Sequence, residues 1–268
     1  MRPLLRWAGS KRQMLQPLRD FFPTESAYTY IEPFCGSAAL FFDRRPPKAV
    51  LADINADLIN FYRSVRQHPT DVFEIASKLR RSKTTYLRIR QAIASEPDNI
   101  KRAAYFYYLN RNCFNGLYRT NKQGTFNVPF SESRTGRMLT WEDFSESAGA
   151  LKTATIHVQD FESLIRDNLT PQSFFFLDPP YAVERRAPFV DYNGQAFNST
   201  DLTRLLSCLR AIDDSGGRFV LTYDSALAEK FLLRKKWKQF EIVVRRNISG
   251  FSAARKNAIE VLTTNFAL

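Results

Sequence analysis

The residue types of Asp178-Pro179-Pro180-Tyr181 could hold a planar amine. They follow SFFFL, an apolar run that predicts a buried strand. Two prolines fix φ and donate no backbone hydrogen bond, so the turn is stiff and its carbonyls are available as acceptors. An ionised carboxylate also only accepts, and the aromatic ring could stack on a base. The tetrapeptide thus suits the exocyclic amine of adenine or cytosine, whose nitrogen would become able to attack an electrophile; the alternative is an ordinary Pro-Pro turn.

Three more acids, Glu32, Asp53 and Asp160, lie at or just past the ends of predicted strands. A single such acid is most often a helix N-cap or a turn former. Four acids at the carboxyl edge of an α/β sheet instead predict a ligand site. Gly36 in EPFCGS precedes Asp53 as a glycine turn precedes a ribose-binding acid. Because G-x-G-x-x-G is absent and AGSK lacks the earlier glycine of a phosphate-binding loop, we expect a cofactor with ribose but no pyrophosphate.

The elements that position these residues indicate a doubly wound α/β sheet. From residue 56 to about 104 the pattern is helical and basic, and residues 105–130, rich in aromatic side chains, predict a loop and a hairpin. We therefore expect a seven-stranded, Rossmann-like catalytic domain in residues 1–55 and 145–268, and an inserted, mainly helical target-recognition domain with a hairpin in residues 56–144. The seven predicted strands lie in YTYIE, KAVLADIN, TIHVQDF, SFFFLD, RFVLTYD, FEIVVRR and AIEVLTTNF.

Composition narrows the class of partner. The 268 residues carry a formal net charge of +12, which favours a polyanion such as nucleic acid, although a basic surface can serve solubility alone. No run is apolar and long enough for a membrane span, and the first residues do not read as a signal peptide, so we expect an intracellular protein without membrane contact. Three cysteines without a short spacing, and two histidines, predict neither disulfides nor a metal site.

Seven motifs, in this order, resemble those of the Dam-type DNA adenine-N6 methyltransferases. They are LRWAGSK, EPFCGS, ADIN, LNRNCFNGLYR, FNVPF, DPPY, and RRNIS with the following RK. The resemblance runs from about Leu5 to Leu262. It implies a methyltransferase sheet, S-adenosylmethionine as the cofactor, double-stranded DNA as the partner, and methylation of an adenine flipped out of the duplex, at a cost of a few kcal/mol. It also implies GATC as the preferred site.

The resemblance assigns roles to individual residues. Asp178, Pro179, Pro180 and Tyr181 match the catalytic motif. Trp7 and Lys11 match the lining of the cofactor pocket, and Asp53 matches the acid that binds ribose. The other matches to cofactor-binding positions are Glu32, Phe34 and Gly36 under the methionine part, Asp160 and Phe161 facing adenine, and Asp178.

DNA contacts are implied mainly in the insert. Arg6 and Arg119 match positions that read guanine, Leu117 matches a contact to a thymine methyl, and Phe114 with Asn115 match residues that fill the gap left by the flipped base. Three of these have a second interpretation: Leu117 as a packed residue, Arg119 as a phosphate contact, and Phe114 as core. The motifs add Arg111, Asn127 and Pro129. We expect Arg255 and Lys256 in a loop before the last strand, where they contact DNA or, alternatively, only close the sheet edge.

Two departures and two alternatives accompany this interpretation. Ser10 stands where the family has a second glycine, and Tyr223 stands near the expected target-base pocket. The DPPY motif also serves RNA adenine methyltransferases, although the insert matches the DNA family. A DNA-binding regulator that kept the fold without catalysis is the other alternative, which the intact acids oppose. We expect a cytoplasmic monomer of bacterial or phage origin.

Overall fold

In the part of the chain that it describes, the computed structural model contains one mixed, seven-stranded β-sheet, against which helices pack. The structure describes residues 1, 3–23, 27–121, 124–132, 135–180, 197–224, 234, 236–247 and 255–267, with the backbone alone at 244–247 and 255–258. Within these residues the strands are β1 (Thr29–Glu32), β2 (Ala49–Asp53), β3 (Ala154–Val158), β4 (Ser173–Leu177), β5 (Arg218–Asp224), β6 (Lys238–Asn247) and β7 (Arg255–Thr264).

The strand order is β3-β2-β1-β4-β5-β7-β6. The first five are parallel, and β7 is antiparallel to both β5 and β6. The predicted seven-stranded α/β sheet is confirmed. Its winding reverses between β1 and β4, so the carboxyl ends of these two strands flank the place where α/β sheets bind ligands.

Helices fill the connections. Among the described residues the α-helices are α1 (Leu15–Leu18), α2 (Ala39–Arg44), α3 (Ala56–Gln67), α4 (Pro69–Ser77), α5 (Lys83–Ala92), α6 (Asn99–Asn112), α7 (Trp141–Ala150), α8 (Phe161–Asp167) and α9 (Ser199–Asp214). Short 3₁₀ turns occupy Lys11–Met14, Arg19–Phe21, Ile93–Ser95, Phe114–Gly116 and Leu151–Thr153. Side chains of the types that cap helices begin six of the helices, because their oxygens accept from the first backbone N–H groups; they are Asn55, Ser82, Asp98, Thr140, Asp160 and Asn198.

The strand that leads to the acid-proline turn lies in the middle of the sheet. Every residue of β4 is buried, and β4 pairs with β1 on one side and β5 on the other. A parallel strand covered on both faces is apolar throughout and does not alternate. This explains the run SFFFL and fixes the position of the residues that follow it.

The segment between β2 and β3 holds helices α3 to α7 and a small hairpin. The predicted loop at 105–130 is wrong in its first part, because α6 continues to Asn112 and every residue from Ala103 to Asn112 is buried. A helix buried on all sides shows no polar face, so its period is not visible in the sequence. The hairpin follows, with antiparallel bridges from Cys113 to Phe130 and from Thr120 to Phe126.

Three further findings concern the start of β7, membrane-spanning helices and metal sites. Arg255 and Lys256 are the first residues of β7, paired with Asn247 and Arg246 of β6, so their expected position in a loop is wrong. No helix in the described ranges is long and apolar enough to span a membrane. No cluster of His, Cys, Asp and Glu suited to a metal ion occurs in the part of the chain that the structure describes.

Candidate functional site

Four acids lie at the carboxyl edge of the parallel strands. Glu32 and Asp53 are the last residues of β1 and β2, Asp178 directly follows β4, and Asp160 comes two residues after β3. Glu32 lies close enough to Asp178 and Asp53 that both charges help to raise its pKa. The sheet thus brings together acids that are far apart in the sequence.

Asp178 is anchored through one of its two carboxylate oxygens. The Nζ of Lys11 lies 2.9 Å from Oδ1 of Asp178, and the hydroxyl of Thr222 on β5 donates to the same oxygen at 2.8 Å. Oδ2 has no hydrogen-bond partner among the described residues. The side chain is 21% exposed, so this second oxygen can accept from a ligand.

Opposing effects act on the charge of Asp178. Burial raises its pKa, whereas the ammonium of Lys11 and the hydroxyl of Thr222 lower it. Lys11, only 6% exposed, also lies 3.0 Å from Oε2 of Glu260 on β7. One buried cation therefore joins the carboxylates of Asp178 and Glu260, and it favours the ionised form of Asp178.

The rest of the acid-proline motif is described in part. Pro179 is buried and Pro180 is exposed, so the chain leaves the core at this bend. Tyr181 lies outside the described residues.

The glycine turn after β1 approaches the acid at the end of β2. Gly36 has φ +43°, and its N–H donates to Oδ2 of Asp53 at 3.2 Å, while Oδ1 accepts from the N–H of Asn55 at 3.0 Å. A Cβ at Gly36 would lie 2.8 Å from Cδ1 of Trp7, so a side chain cannot fit. Burial raises the pKa of Asp53 to about 6, and the backbone N–H donors oppose this shift.

Glu32 is 3% exposed. Its Oε2 accepts from the hydroxyl of Tyr30 at 2.8 Å. Burial raises the pKa of Glu32 well above its usual range, although the bond from Tyr30 acts in the other direction. This carboxyl group is therefore held in a protein environment that disfavours its charge.

The acid after β3 caps a helix and forms an ion pair. Oδ1 of Asp160 accepts from the N–H of Glu162 at 3.0 Å at the start of α8, and the same oxygen contacts the guanidinium of Arg204 on α9. Phe34, after β1, stacks on Phe161 with ring centroids 5.1 Å apart. The helix-cap role expected for a single acid is thus present at Asp160, together with an aromatic neighbourhood.

The hairpin carries most residues with an implied DNA contact. Phe114 is 39% exposed, and Asn115 has φ +53°, the left-handed region that asparagine tolerates. Nε of Arg119 donates to Oδ1 of Asn127 at 2.8 Å across the hairpin. Pro129 accepts through its carbonyl from the N–H of Phe114 at 3.0 Å, and Leu117 is partly buried against the core.

Arg6 passes through a narrow slot beside this hairpin. A Cβ at Gly116 would lie 2.3 Å from Cβ of Arg6, and a Cβ at Gly136 would lie 2.4 Å from its Cδ. The amide of Asn110 holds the backbone of Arg6 in both directions, with N–O distances of 2.9 and 2.7 Å. The path of the Arg6 side chain is therefore set by two glycines.

The other arginines of the expected DNA surface differ in their surroundings. Arg111 is 7% exposed, and its guanidinium donates to the carbonyl of Leu4 and lies 5.4 Å from the ring of Tyr107. These contacts hold the N-terminal segment on α6, and a DNA contact by Arg111 stays a prediction. The side chains of Arg255 and Lys256 lie outside what the structure describes.

The two departures noted in the sequence have local explanations. The hydroxyls of Ser10 and Ser37 are 2.8 Å apart, so Ser10 makes a hydrogen bond that a glycine at this position could not make. Tyr223 is 1% exposed and belongs to the core beside β4 and β5. Its expected position near the target-base pocket stays a prediction.

Three residues of the site carried no role in the sequence analysis: Thr222, Glu260 and Arg204. Glu260 had a visible signal, because an acid in the middle of AIEVL is unusual for a buried strand. Thr222 and Arg204 had none, since a threonine in a strand and an arginine on a helix face are ordinary. Their contacts to Asp178 and Asp160 join residues that are distant in sequence, so the folded chain alone reveals these contacts.

Comparison with known proteins gives a consistent set of matches. Residues 7–250 match the family of D12 class N6 adenine-specific DNA methyltransferases. Type II methyltransferase M1.LlaDCHI of Lactococcus lactis subsp. cremoris is 32% identical over 276 residues, covering 99% of this chain and 96% of that protein. Type II methyltransferase M.MjaIII of Methanocaldococcus jannaschii is 30% identical over 294 residues, covering 99% of each. The DNA adenine methylase of Vibrio cholerae serotype O1 is 30% identical over 266 residues, covering 97% of this chain and 95% of that protein.

Proposed function

The chain belongs to the D12 class of N6 adenine-specific DNA methyltransferases, and we propose that it transfers a methyl group from S-adenosylmethionine to the N6 amine of an adenine flipped out of duplex DNA. GATC is the proposed site, by resemblance to the Dam-type enzymes. Residues 56–144 are the proposed target-recognition domain, and residues 1–55 and 145–268 the proposed catalytic domain.

The state of Asp178 is the observation that supports this function most directly. Lys11 and Thr222 hold one carboxylate oxygen, and the other has no partner among the described residues. The proposed second acceptor is a backbone carbonyl of the acid-proline turn, whose conformation the two prolines restrict. Oδ2 of Asp178 can then accept one amino proton of adenine and aim the nitrogen.

The residues at the glycine turn fit a cofactor that carries ribose. A side chain at Gly36 would collide with the indole of Trp7, so the glycine lets Trp7, a proposed pocket residue, pack directly on the turn. Asp53 keeps acceptor capacity beyond the backbone N–H groups that donate to it, which suits ribose hydroxyls. Bound there, S-adenosylmethionine would supply a methyl group on a positively charged sulfur.

The side chains around the glycine turn suit the positive charge on the sulfur of the cofactor. Acids and aromatic faces lie around the turn, and both attract a cation. The proposed contacts are Asp53 to the ribose, Asp160 and Phe161 to the adenine of the cofactor, and Trp7, Lys11, Glu32, Phe34 and Gly36 along the rest of the pocket. Because Lys11 carries a positive charge, we assign it to hold Asp178 and to line the pocket through its stem.

The target base would be held from two sides. Tyr181 is the proposed stacking partner, and Phe114 with Asn115 would fill the gap in the duplex; the exposed ring of Phe114 supports this. Arg6 and Arg119 are the proposed guanine readers and Leu117 the contact to thymine, each good bidentate pair being worth about 1–3 kcal/mol. The bond from Arg119 to Asn127 is consistent with a guanidinium oriented before DNA binds.

Plasmid methylation tests the proposal. Plasmid DNA from expressing cells that lack adenine methylation is digested with two nucleases that cut GATC, one blocked by N6-methyladenine and one requiring it. We expect resistance to the first and cleavage by the second, and the reverse pattern with the Asp178→Ala variant at equal expression. Methylation at another sequence, found by single-molecule sequencing, would refute GATC alone; adenine methylation nowhere would refute the enzymatic function.

A further inference from the structure

Arg204 on α9 joins three acids at the end of the sheet. Its Nε lies 2.6 Å from Oε2 of Glu162, its Nη1 lies 3.0 Å from Oδ1 of Asp201, and its Nη2 contacts Oδ1 of Asp160. The guanidinium carbon is also 4.7 Å from the ring centre of Phe161. One side chain therefore contacts both residues that are assigned to the adenine end of the cofactor.

The contact fixes the orientation of the Asp160 carboxylate. Oδ1 takes the N–H of Glu162 and the guanidinium of Arg204, and Oδ2 has no partner among the described residues. Without the arginine, the helix cap would still hold Oδ1 with one neutral donor. Arg204 adds a charge-assisted donor and so restricts the rotation of the carboxylate.

Arg204 also packs on the aromatic group beside Asp160. The ring of Phe161 stacks on Phe34 and lies 6.0 Å from Phe197, the residue before the cap of α9. Because a guanidinium over a ring restricts it as well as attracting it, the same residue holds the ring and the acid. The result is an acceptor oxygen held beside a buried aromatic cluster in one geometry.

We propose that Arg204 is a positioning residue for the adenine end of the cofactor, which it serves by holding Asp160 so that Oδ2 accepts a hydrogen bond from the 6-amino group. The inference rests on the proposed function, because it requires the S-adenosyl group to bind at this edge. A purely structural role, linking α8 to α9, is the competing explanation. An ion pair of that kind is worth little at a partly exposed site and would not affect which base is bound.

Discrimination between two ligands separates these explanations. S-adenosylhomocysteine carries the 6-amino group, and S-inosylhomocysteine carries an oxygen there, which cannot donate to Asp160. Calorimetric titration of the full-length protein gives both dissociation constants. For Arg204→Met, which keeps an unbranched apolar stem, we expect about tenfold weaker binding of the adenosyl ligand and less than about twofold change for the inosyl ligand.

Arg166→Met is the matched control. Arg166 also binds Glu162, with 2.7 Å between its Nη2 and Oε1, but it is on α8 and makes no recorded contact with Asp160. We expect both dissociation constants of this variant to stay within about twofold of the unmodified protein. A second variant, Arg204→Lys, keeps the charge without the planar fork and should lose part of the discrimination.

Each result decides the question. If Arg204→Met weakens the binding of both ligands equally at an unchanged melting temperature, the proposal is overturned. Selectively weaker binding of the adenosyl ligand by Arg166→Met would also overturn it. If Arg204→Met does not fold, Arg204→Lys decides. An unchanged preference for the adenosyl over the inosyl ligand overturns the proposal, and a partly lost preference supports it. If the unmodified protein binds S-adenosylhomocysteine without discrimination, the role of Asp160 and this inference both fail; if it does not bind that ligand, the proposed function itself fails.

Discussion

Removing the hydroxyl of Thr222 should slow methyl transfer while the fold is retained. Thr222 is fully buried on β5, and its hydroxyl donates to Oδ1 of Asp178 over 2.8 Å. Thr222→Val replaces that hydroxyl with a methyl group of similar size. Oδ1 keeps the ammonium of Lys11 at 2.9 Å, so no buried charge is left unpaired and the variant should still fold.

The size of the effect follows from the kind of bond lost. A hydrogen bond to a charged group contributes about 1.5–3 kcal/mol. Because Lys11 continues to hold the same oxygen, we take the lower value. If the bond acts in aiming Oδ2, about 1.5 kcal/mol corresponds to about a tenfold loss of rate.

The variant should also change the pH dependence. Burial raises the pKa of Asp178, and the Thr222 hydroxyl opposes that shift. Loss of the hydroxyl raises the pKa further, so the ionised acceptor forms only at higher pH. The acidic limb of the rate profile should therefore move to higher pH.

Single-turnover methylation of a duplex carrying the enzyme's own site measures both effects. Thr263→Val is the matched control, because Thr263 on β7 is 1% exposed and its hydroxyl accepts from Gln239 at 3.1 Å, away from Asp178. It should leave the rate and the profile unchanged. A Thr222→Val rate within about twofold of the unmodified enzyme, with no movement of the acidic limb, would refute the anchoring role of Thr222.

Two further predictions concern the cofactor and the DNA. Burial raises the pKa of Asp53 to about 6, and ribose hydroxyls donate best to the ionised form, so affinity for S-adenosylhomocysteine should be constant above that pH and fall below it. Calorimetry across this range should show the fall, and Asp53→Asn should abolish it. A flat profile in the unmodified protein would contradict the assignment. Gly136→Ala would place a Cβ 2.4 Å from Cδ of Arg6, so the preference for the preferred duplex over one with a single changed base pair should fall about tenfold, with nonspecific affinity retained. Gly149→Ala, whose Cβ meets nothing within 4 Å, is the control. Equal preference in both variants would contradict the role of the slot.

The sequence predicts the sheet well because its strands carry strong local signals. β4 is a continuous apolar run closed by two prolines, and β2 ends in an acid before an asparagine that caps the next helix. Such signals depend on neighbours in the chain. The acids at the carboxyl edge follow from the strand ends, since parallel strands bring those ends together.

What the sequence does not predict depends on contacts between distant residues. Lys11 and Thr222 contact Asp178 from the N-terminal segment and from β5, and Glu260 on β7 contacts Lys11. No spacing in the sequence predicts these contacts. The helix α6 is hidden for a different reason: its aromatic and amide side chains are poor helix formers, and burial on every side removes the polar face. The burial of Arg111 on α6 is likewise not visible in the sequence, where an arginine among motif residues reads as a surface cation.

The most direct test of the central claim is the effect of Asp178→Ala on two quantities measured in the same protein, the dissociation constant of S-adenosylhomocysteine and the single-turnover rate of adenine methylation. If Asp178 holds the amine, the dissociation constant should change little and the rate should fall by at least about a hundredfold, the usual cost of removing a preorganised polar group from a reacting centre. A variant that binds the cofactor product normally and still methylates adenine within about threefold of the unmodified rate would contradict the account.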